Sequence, residues 1–361
     1  MIRILHVLGG LGSGGTESLI MNWYRNIDRS KVQFDFLVRS NDYNYSEEIT
    51  ALGGRIFYTA SFPHHFLKNY RETKTVLERK EWDVIHVHGN AAMYMLPLHL
   101  SKKLGYPCRI MHSHSVHSKN PIFSLVHWYN RRRINKYATH QLACSSAAGE
   151  WMYPDTEFRV INNAVQSERF IFDQHARNKI RTELGIDDCL VLGHVGRFSK
   201  PKNHTFLLDI FYEVKKLRPD SVLMLVGDGE LRETIEKKAM ELGLTDSVLF
   251  MGRRNDVGQL MSAMDIFVLP SLYEGLPVAC VESAANALTS IISEEAYAQE
   301  LASLLNVKVV TLKKSAFEWA KIVLENLNNS NQACRNCNLV SGSNFDVDQV
   351  VRTLLDIYFN H

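Results

Sequence analysis

Two carboxylates, Glu274 and Glu282, stand eight positions apart in DIFVLPSLYEGLPVACVESAANAL (265–288), and upstream Arg197, Lys200 and Lys202 crowd one polar loop in CLVLGHVGRFSKPKNHTF. A carboxylate accepts hydrogen bonds from hydroxyl groups, a guanidinium offers a planar fork of donors and an ammonium a point charge. The combination suits a ligand carrying both hydroxyls and a diphosphate. Near the start, VLGGLGSGGTES (7–18) contains Gly10-x-Gly12-x-x-Gly15. Such glycines let a backbone approach a ligand closely, and the amides of the following helix attract anions. His86-x-His88 and His112-x-His114 end two apolar runs, and residues two apart on a strand share a face, so the four imidazoles have the makings of a metal site. Cys334-x-x-Cys337 also has metal or redox spacing.

Each feature has a plainer explanation. A dinucleotide turn needs an acidic residue about 20 positions on, but the second strand, VQFDFLVRS, carries Asp35 in its middle and ends in Arg39. NAD is thereby disfavoured; an NADP site using Arg39, or a purely structural turn, stays open. No carboxylate lies close in sequence to either histidine pair, and no second cysteine pair accompanies Cys334 and Cys337, so no metal is expected. Basic loop residues are often merely solvated, and an acidic residue in the first turns of a helix is favoured by the helix dipole, which covers Glu282. Glu274, beside Gly275 in a loop, has no such explanation.

The elements that must position these residues are legible. A chain of 361 residues with 45% apolar and 22% charged content is a soluble globular protein of two domains. A formal charge of +2 argues against a general nucleic-acid binder. No run of about 18 apolar residues occurs, and MIRILHVLGG is too short for a signal peptide, so a cytoplasmic location with reduced cysteines is expected. Short β-branched runs at 2–8, 32–38, 55–59, 83–88, 108–113, 139–143 and 158–162 alternate with helical segments. The series restarts at 189–195 and continues through 221–226, 247–251, 265–269, 289–292 and 307–311. Such alternation predicts an α/β protein with parallel sheets and ligands outside the carboxyl ends of the strands. Residues 166–184 read as linker plus first helix of the second unit, and 326–338 as an exposed loop.

With these pieces in order, the chain resembles the retaining glycosyltransferases of family 4. GSGGTE, DVIHVH (83–88), VGRFSKPKN (195–203), LVGDGE (225–230), FMGRRNDV (250–257) and PSLYEGLPVACVES (270–283) carry the resemblance over nearly the whole chain. It implies the GT-B fold, two Rossmann-like domains facing across a cleft. These would be an acceptor-side domain over 1–170, a nucleotide-sugar domain over 171–340, and a C-terminal helix over 341–361 packing back toward the first. It also implies transfer of a sugar from a nucleotide diphosphate, UDP above others, to a saccharide or lipid-linked acceptor in surface polysaccharide synthesis.

Residue by residue, the resemblance puts Gly14 and Gly15 where backbone approaches the donor phosphates or the acceptor. Arg197 and Lys202 would neutralise the departing diphosphate, which makes a metal or other cofactor unnecessary. Glu282 would accept hydrogen bonds from the ribose, Glu274 with Gly275 and Leu276 would lie by the donor sugar, and Arg253 to Val257 would hold the base. His114, with His112 second, would stand beside the sugar. Retention is then expected by front-face attack, with Glu274 as nucleophile the alternative.

One departure stands out. The family's Gly-Leu-Pro turn after the second glutamate is replaced by AANALTSIIS, with Ala287 and Thr289 in the glycine and proline places. An altered turn there would fit a catalytically impaired sugar-nucleotide-binding protein; a nucleotide-sugar epimerase and an NADP-dependent dehydrogenase are further alternatives. Finally, NPIFSLVHWYNRRRINKYA (120–138) sets Phe123, Val126, Trp128 or Tyr129 and Ile134 at near-helical spacing beside Arg131, Arg132, Arg133 and Lys136. It reads either as a solvated basic face or as a peripheral contact with anionic lipid at the inner face of the cell membrane.

Overall fold

The computed structural model describes residues 1–12, 15–40, 44–114, 121–274, 276–304, 306–327, 335 and 337–360, with the side chains of 121–123 excluded. Gly14, Gly275 and Cys334, singled out above, lie outside the described residues. By contacts the chain divides into two units, one of Met1–Ala164 with Val347–His361 and the other of Val165–Asp346.

In the first unit the chain runs β1 (Ile2–Leu8), α1 (Gly15–Asn26), β2 (Val32–Val38), α2 (Ser46–Ala51), β3 (Ile56–Tyr58), α3 (Phe66–Leu77) and β4 (Val84–Gly89). It continues through α4 (Leu96–Lys103), β5 (Cys108–Ser113), α5 (Pro121–Arg131), β6 (His140–Ala143), α6 (Ser146–Met152) and β7 (Arg159–Val160). The second unit holds α7 (Gln174–Leu184), β8 (Leu190–Val195), α8 (His204–Leu217), β9 (Ser221–Val226), α9 (Arg232–Glu241), β10 (Val248–Gly252) and α10 (Val257–Ala263). It ends with β11 (Ile266–Leu269), α11 (Val278–Ala285), β12 (Ser290–Ser293), β13 (Val307–Val310) and α12 (Ala316–Glu325); α13 (Val347–Phe359) belongs to the first unit.

All strand pairs are parallel, in the orders β3-β2-β1-β4-β5-β6-β7 and β10-β9-β8-β11-β12-β13. Central strands such as β2 and β9 are buried at every residue, as sheets covered by helices on both faces require. In unit 1 one face carries Trp23, Tyr24, Phe34, Phe36, Leu354 and Tyr358, and the other Leu77, Trp82, Leu98, Met152 and Tyr153. The strand order of each sheet reverses once, between β1 and β4 and between β8 and β11, and in such sheets ligands bind outside the carboxyl ends of the strands at the point of reversal.

Local sequence explains several boundaries. Asp173 caps α7 by accepting from the N–H groups of His175 and Ala176, and Gly185 closes it at φ 65°. Ser315 and Glu318 form a reciprocal capping box on α12. The sequence sets unit boundaries at 170/171 and 340/341, whereas the contacts set them at 164/165 and 346/347. Val165 N–H donates to Phe345 O (2.9 Å), and Phe170 O accepts from Asn286 Nδ2 (2.7 Å), which fastens 165–170 to unit 2. Nor is 326–338 simply an exposed loop. Arg335 is only 2% exposed and donates to the carbonyls of Met261, Met264 and Asn286; burial pulls its guanidinium down to about 9.

The turn lacking the family's glycine is closed all the same. Ala287 takes φ 50°, its N–H donates to Ala284 O, and Leu288 N–H donates to Ser283 O (2.9 Å) before β12 begins. An alanine in the left-handed region costs about 1–2 kcal/mol, partly offset by glycine's greater freedom in the unfolded chain. Ala287→Gly is therefore expected to stabilise the protein by roughly 0.5–1 kcal/mol, read as a higher urea midpoint at unchanged slope. A lower midpoint would contradict this account.

Candidate active site

The carboxyl ends of β8 and β11 in unit 2 gather charged residues. After β8 the chain passes Gly196 and Arg197 into a tight turn at Lys200–Lys202, then Asn203 at φ 53° opens α8. After β11 it runs from Pro270 to Pro277 before α11. Three hydrogen bonds stitch these loops together: Leu272 N–H to Pro201 O (2.8 Å), Asn203 Nδ2 to Pro270 O (3.0 Å) and Lys202 Nζ to Glu274 Oε1 (2.7 Å). The side chains of Lys202 and Glu274 are 19% and 14% exposed, so this ion pair is largely shielded from water.

Glycines make the approach feasible. The stem of Lys202 crosses Gly196, where a Cβ would lie 3.3 Å from Cδ and Cε. Gly227, after β9, has φ 134° and sits so close to Gly196 O that a Cβ would come within 2.1 Å. Only glycine fits there. Glu282 lies just over one turn into α11. Burial raises its carboxyl to about 7, against the opposing charges of Lys202 and Arg169. The structure thus groups Lys202, Glu274 and Glu282.

Arg197 is 73% exposed and pairs with Glu230 (3.0 Å) in the loop after β9. Arg253 is exposed at the end of β10, next to Arg254, which closes on Asp256 (2.6 Å). Leu276 is buried in the core of unit 2, so only its backbone is left to face a ligand. Gly15, the first residue of α1, is exposed with nothing within 4 Å of a Cβ added to it. Arg169 and Glu230 were not identified from sequence, although Glu230 lies in the LVGDGE motif; nothing local marks either as a charge partner.

In unit 1 the two histidine pairs meet. Parallel register sets His86 beside His6 and His88 beside His112, all on the sheet face covered by Trp23 and Tyr358. His6, a lone histidine inside the apolar strand IRILHVL, is a fifth member that spacing did not reveal. Its Nδ1 lies 2.9 Å from His88 Nε2; His88 Nδ1 lies 2.8 Å from His114 Nε2; His86 Nε2 lies 3.2 Å from His112 Nδ1, and His86 Nδ1 lies 2.9 Å from Tyr358 Oη. Burial holds His6 and His114 down to about 3 and the others well below the ordinary histidine value, so these rings are neutral. His112 is fully buried, while His114, just past the strand end, is partly exposed.

The dinucleotide alternative loses its residues. Asp35 is fully buried; burial alone would raise its carboxyl, but hydrogen bonds from Arg3, Arg55 and Trp82 outweigh this and hold it below the ordinary range. Arg39 stacks on the Tyr94 ring (3.9 Å to its centroid).

On α5, Leu125, Trp128 and Tyr129 are 75%, 51% and 58% exposed, and the guanidiniums of Arg132 and Arg133 lie over the Trp128 and Tyr129 rings. Leu125 was not singled out in the sequence. Ile134, which was, is buried in the core and leaves the patch; the side chain of Phe123 is outside the described residues. Among the described residues no helix is long and apolar enough to cross a membrane.

Comparison with known proteins points one way. Residues 176–338 match the family described as glycosyl transferases group 1, and residues 13–169 match glycosyltransferase family 4. The chain is 36% identical over 339 residues to the putative glycosyltransferase EpsF of Bacillus subtilis, covering 89% of this chain and 86% of that one. It is 28% identical over 233 residues, 60% of this chain and 59% of the other, to an Escherichia coli protein. That protein is named UDP-Gal:alpha-D-GlcNAc-diphosphoundecaprenol alpha-1,3-galactosyltransferase. Among solved structures, HepE of Anabaena in complex with UDP superposes with a TM-score of 0.83 at 20% identity, covering all of both chains.

Glu282 makes the site's electrostatics measurable without any ligand. Because its folded value, about 7, lies above the ordinary 4.5, the stability from its neutral form is complete below about pH 4.5 and is lost as pH rises through about 7. Glu282→Gln keeps a neutral side chain throughout. Its melting temperature is expected to pull ahead of the native protein's between about pH 5 and 8; a difference that does not vary with pH would show that Glu282 titrates normally.

Proposed function

We propose a specific reaction for this chain, which belongs to glycosyltransferase family 4, is a glycosyltransferase, and has two Rossmann-like domains of the GT-B type. A sugar moves from a nucleoside diphosphate, UDP above others, to a hydroxyl of a saccharide or lipid-linked acceptor in surface polysaccharide synthesis. The configuration at the anomeric carbon is retained. The observation that carries this reading is the shielded Lys202–Glu274 ion pair, with Glu282 close by, at the strand ends where the unit 2 sheet reverses.

In the free protein Glu274 neutralises Lys202. An arriving diphosphate offers a denser negative charge, and Lys202 with Arg197 stabilises the charge that grows on the leaving phosphate as the glycosidic bond breaks. With two cations in that role no metal is required. The amides at the start of α11 face the same anion. Glu282 accepts hydrogen bonds from the ribose hydroxyls, Arg253 and the residues to Val257 hold the base, and Glu274 with the backbone of Leu276 borders the sugar. His114 serves the sugar from unit 1, and backbone at Gly15 allows close approach of donor or acceptor.

Bond making and breaking then occur on one face. The acceptor oxygen attacks the anomeric carbon as the phosphate oxygen departs, and that oxygen takes the acceptor's proton while the ring passes through an oxocarbenium-like state. Protein groups supply position and charge. The UDP named with HepE and the UDP-galactose and lipid diphosphate acceptor named with the E. coli relative support the choice of donor and acceptor classes. The exposed aromatic and basic face of α5 would hold the protein against anionic lipid at the inner face of the cell membrane, where such acceptors reside.

Two sets of measurements follow. Arg197→Ala and Glu282→Ala are each expected to weaken UDP binding by about tenfold in calorimetry, and Lys202→Ala to lower kcat more than it raises KM. Chelator should leave binding unchanged; native behaviour in all three variants would refute the site. For α5, the protein should co-sediment with anionic vesicles at low salt and lose this on combined Trp128→Ala, Arg132→Ala and Arg133→Ala substitution. No sedimentation of the native protein would count against membrane contact.

A further inference from the structure

Five histidines from three neighbouring strands share one face of the unit 1 sheet, yet the proposed reaction uses His114 alone. Two explanations compete for the other four: a metal centre or a hydrogen-bonded array. The sets His6, His86, His88 and His88, His112, His114 each bring nitrogens within 4.8 Å of one another. Ions bound at about 2.0–2.1 Å in tetrahedral geometry, however, hold their ligand nitrogens about 3.3 Å apart. The contacts at 2.8 and 2.9 Å are shorter than that and have the spacing of hydrogen bonds. Among the described residues no carboxylate joins either histidine set to offset a buried dication, and Asp35 is taken by Arg3 and Arg55.

A neutral imidazole has one donor nitrogen and one acceptor nitrogen, so a chain of them must run in a single direction. In the chain His6–His88–His114 every link joins an Nδ1 to the next Nε2. Either all three rings carry the proton on Nδ1, or all three carry it on Nε2. The two choices differ at the blind end. His6 Nε2 is buried without a partner, in a wall that includes Phe34 and Phe36. Protons on Nε2 would strand an N–H there, whereas protons on Nδ1 leave only a lone pair. Orphaned buried N–H groups are the rarer and costlier of the two. Ring planes are fixed as well: Trp23 stacks on His86 and His112, and His112 stacks on His114 with centroids 4.4 Å apart.

We propose that His6 and His88 are positioning residues that lock His114 in the Nδ1–H tautomer, so that its Nδ1 presents a hydrogen-bond donor to a hydroxyl oxygen of the sugar. The last clause rests on the reading of His114 as the sugar-facing residue of unit 1. Dissolved histidine favours the opposite tautomer, and a ring holding its proton on the wrong nitrogen is catalytically costly in other enzymes that depend on an oriented imidazole.

The test is long-range proton–nitrogen correlation NMR on the full chain with nitrogen-15 histidine, His114 being assigned from the signals lost in His114→Gln. Expected are a protonated Nδ1 and a bare Nε2 at His6, His88 and His114. His88→Phe removes the donor to His114 Nε2 and should shift His114 toward the other tautomer. It should also lower kcat at least about tenfold, with donor KM changed less than about threefold. His88→Asn restores an amide N–H facing His114 and should recover both the tautomer and most of the turnover. Because the native and His88→Asn spectra decide the tautomer, the test survives if His88→Phe fails to fold. A protonated Nε2 at His114, or stoichiometric zinc, copper or nickel in the purified protein, would overturn the lock. A locked tautomer with full turnover in His114→Gln would instead leave the lock standing and remove the sugar-facing role.

Discussion

A parallel sheet covered by helices on both faces leaves ligand-facing chemistry only one place to go, the ends of its strands. Both sheets obey this constraint, and the rest of the architecture follows from it. In unit 2 the loops after β8 and β11 emerge side by side because those strands are neighbours at the point of reversal. Lys202 and Glu274 meet there although 72 residues separate them in the chain. In unit 1 the same logic places the loops after β1 and β4 together and stacks the histidines of β1, β4 and β5 beneath them.

The site in unit 2 is rigid where it touches the scaffold. Gly227 lets the β9 loop lie directly on Gly196, Gly196 leaves room for the stem of Lys202, and Lys202 reaches Glu274. Three loops are thereby placed by close backbone approach together with the shielded Lys202–Glu274 pair. Arg197 is different: it is exposed and pairs with the exposed Glu230, and exposed ion pairs contribute about 0–1 kcal/mol, so a change of partner costs little.

Much of this was legible in the sequence. The alternation of short apolar runs with helical segments located every strand of the two sheets among the described residues to within a residue or two, because buried parallel strands are uninterrupted apolar stretches that stand out locally. The motif loops fell at strand ends for the same reason. What remained hidden depends on contacts between distant segments. His6 looks like an accident in an apolar strand until β4 lies beside it. Arg335 reads as part of a polar loop, yet it is buried against the carbonyls at the end of α10. Ile134 matched a helical stripe but the helix stops at Arg131 and the next turn points it inward. At Ala287 the residue type gives no sign of the left-handed conformation that the position takes, φ 50° in a turn closed by the N–H groups of Ala287 and Leu288.

The last helix gives the fold a temporal order. α13 covers the face of the first sheet with Leu354 and Tyr358, and Tyr358 closes the hydrogen-bonding end of His86, but it is translated only after all of unit 2. During synthesis the first sheet therefore waits with an apolar flank uncovered while its successor is made and folds. The unit whose residues leave the ribosome first is completed last, and a nascent chain arrested before residue 347 lacks the helix that covers this face of its first sheet.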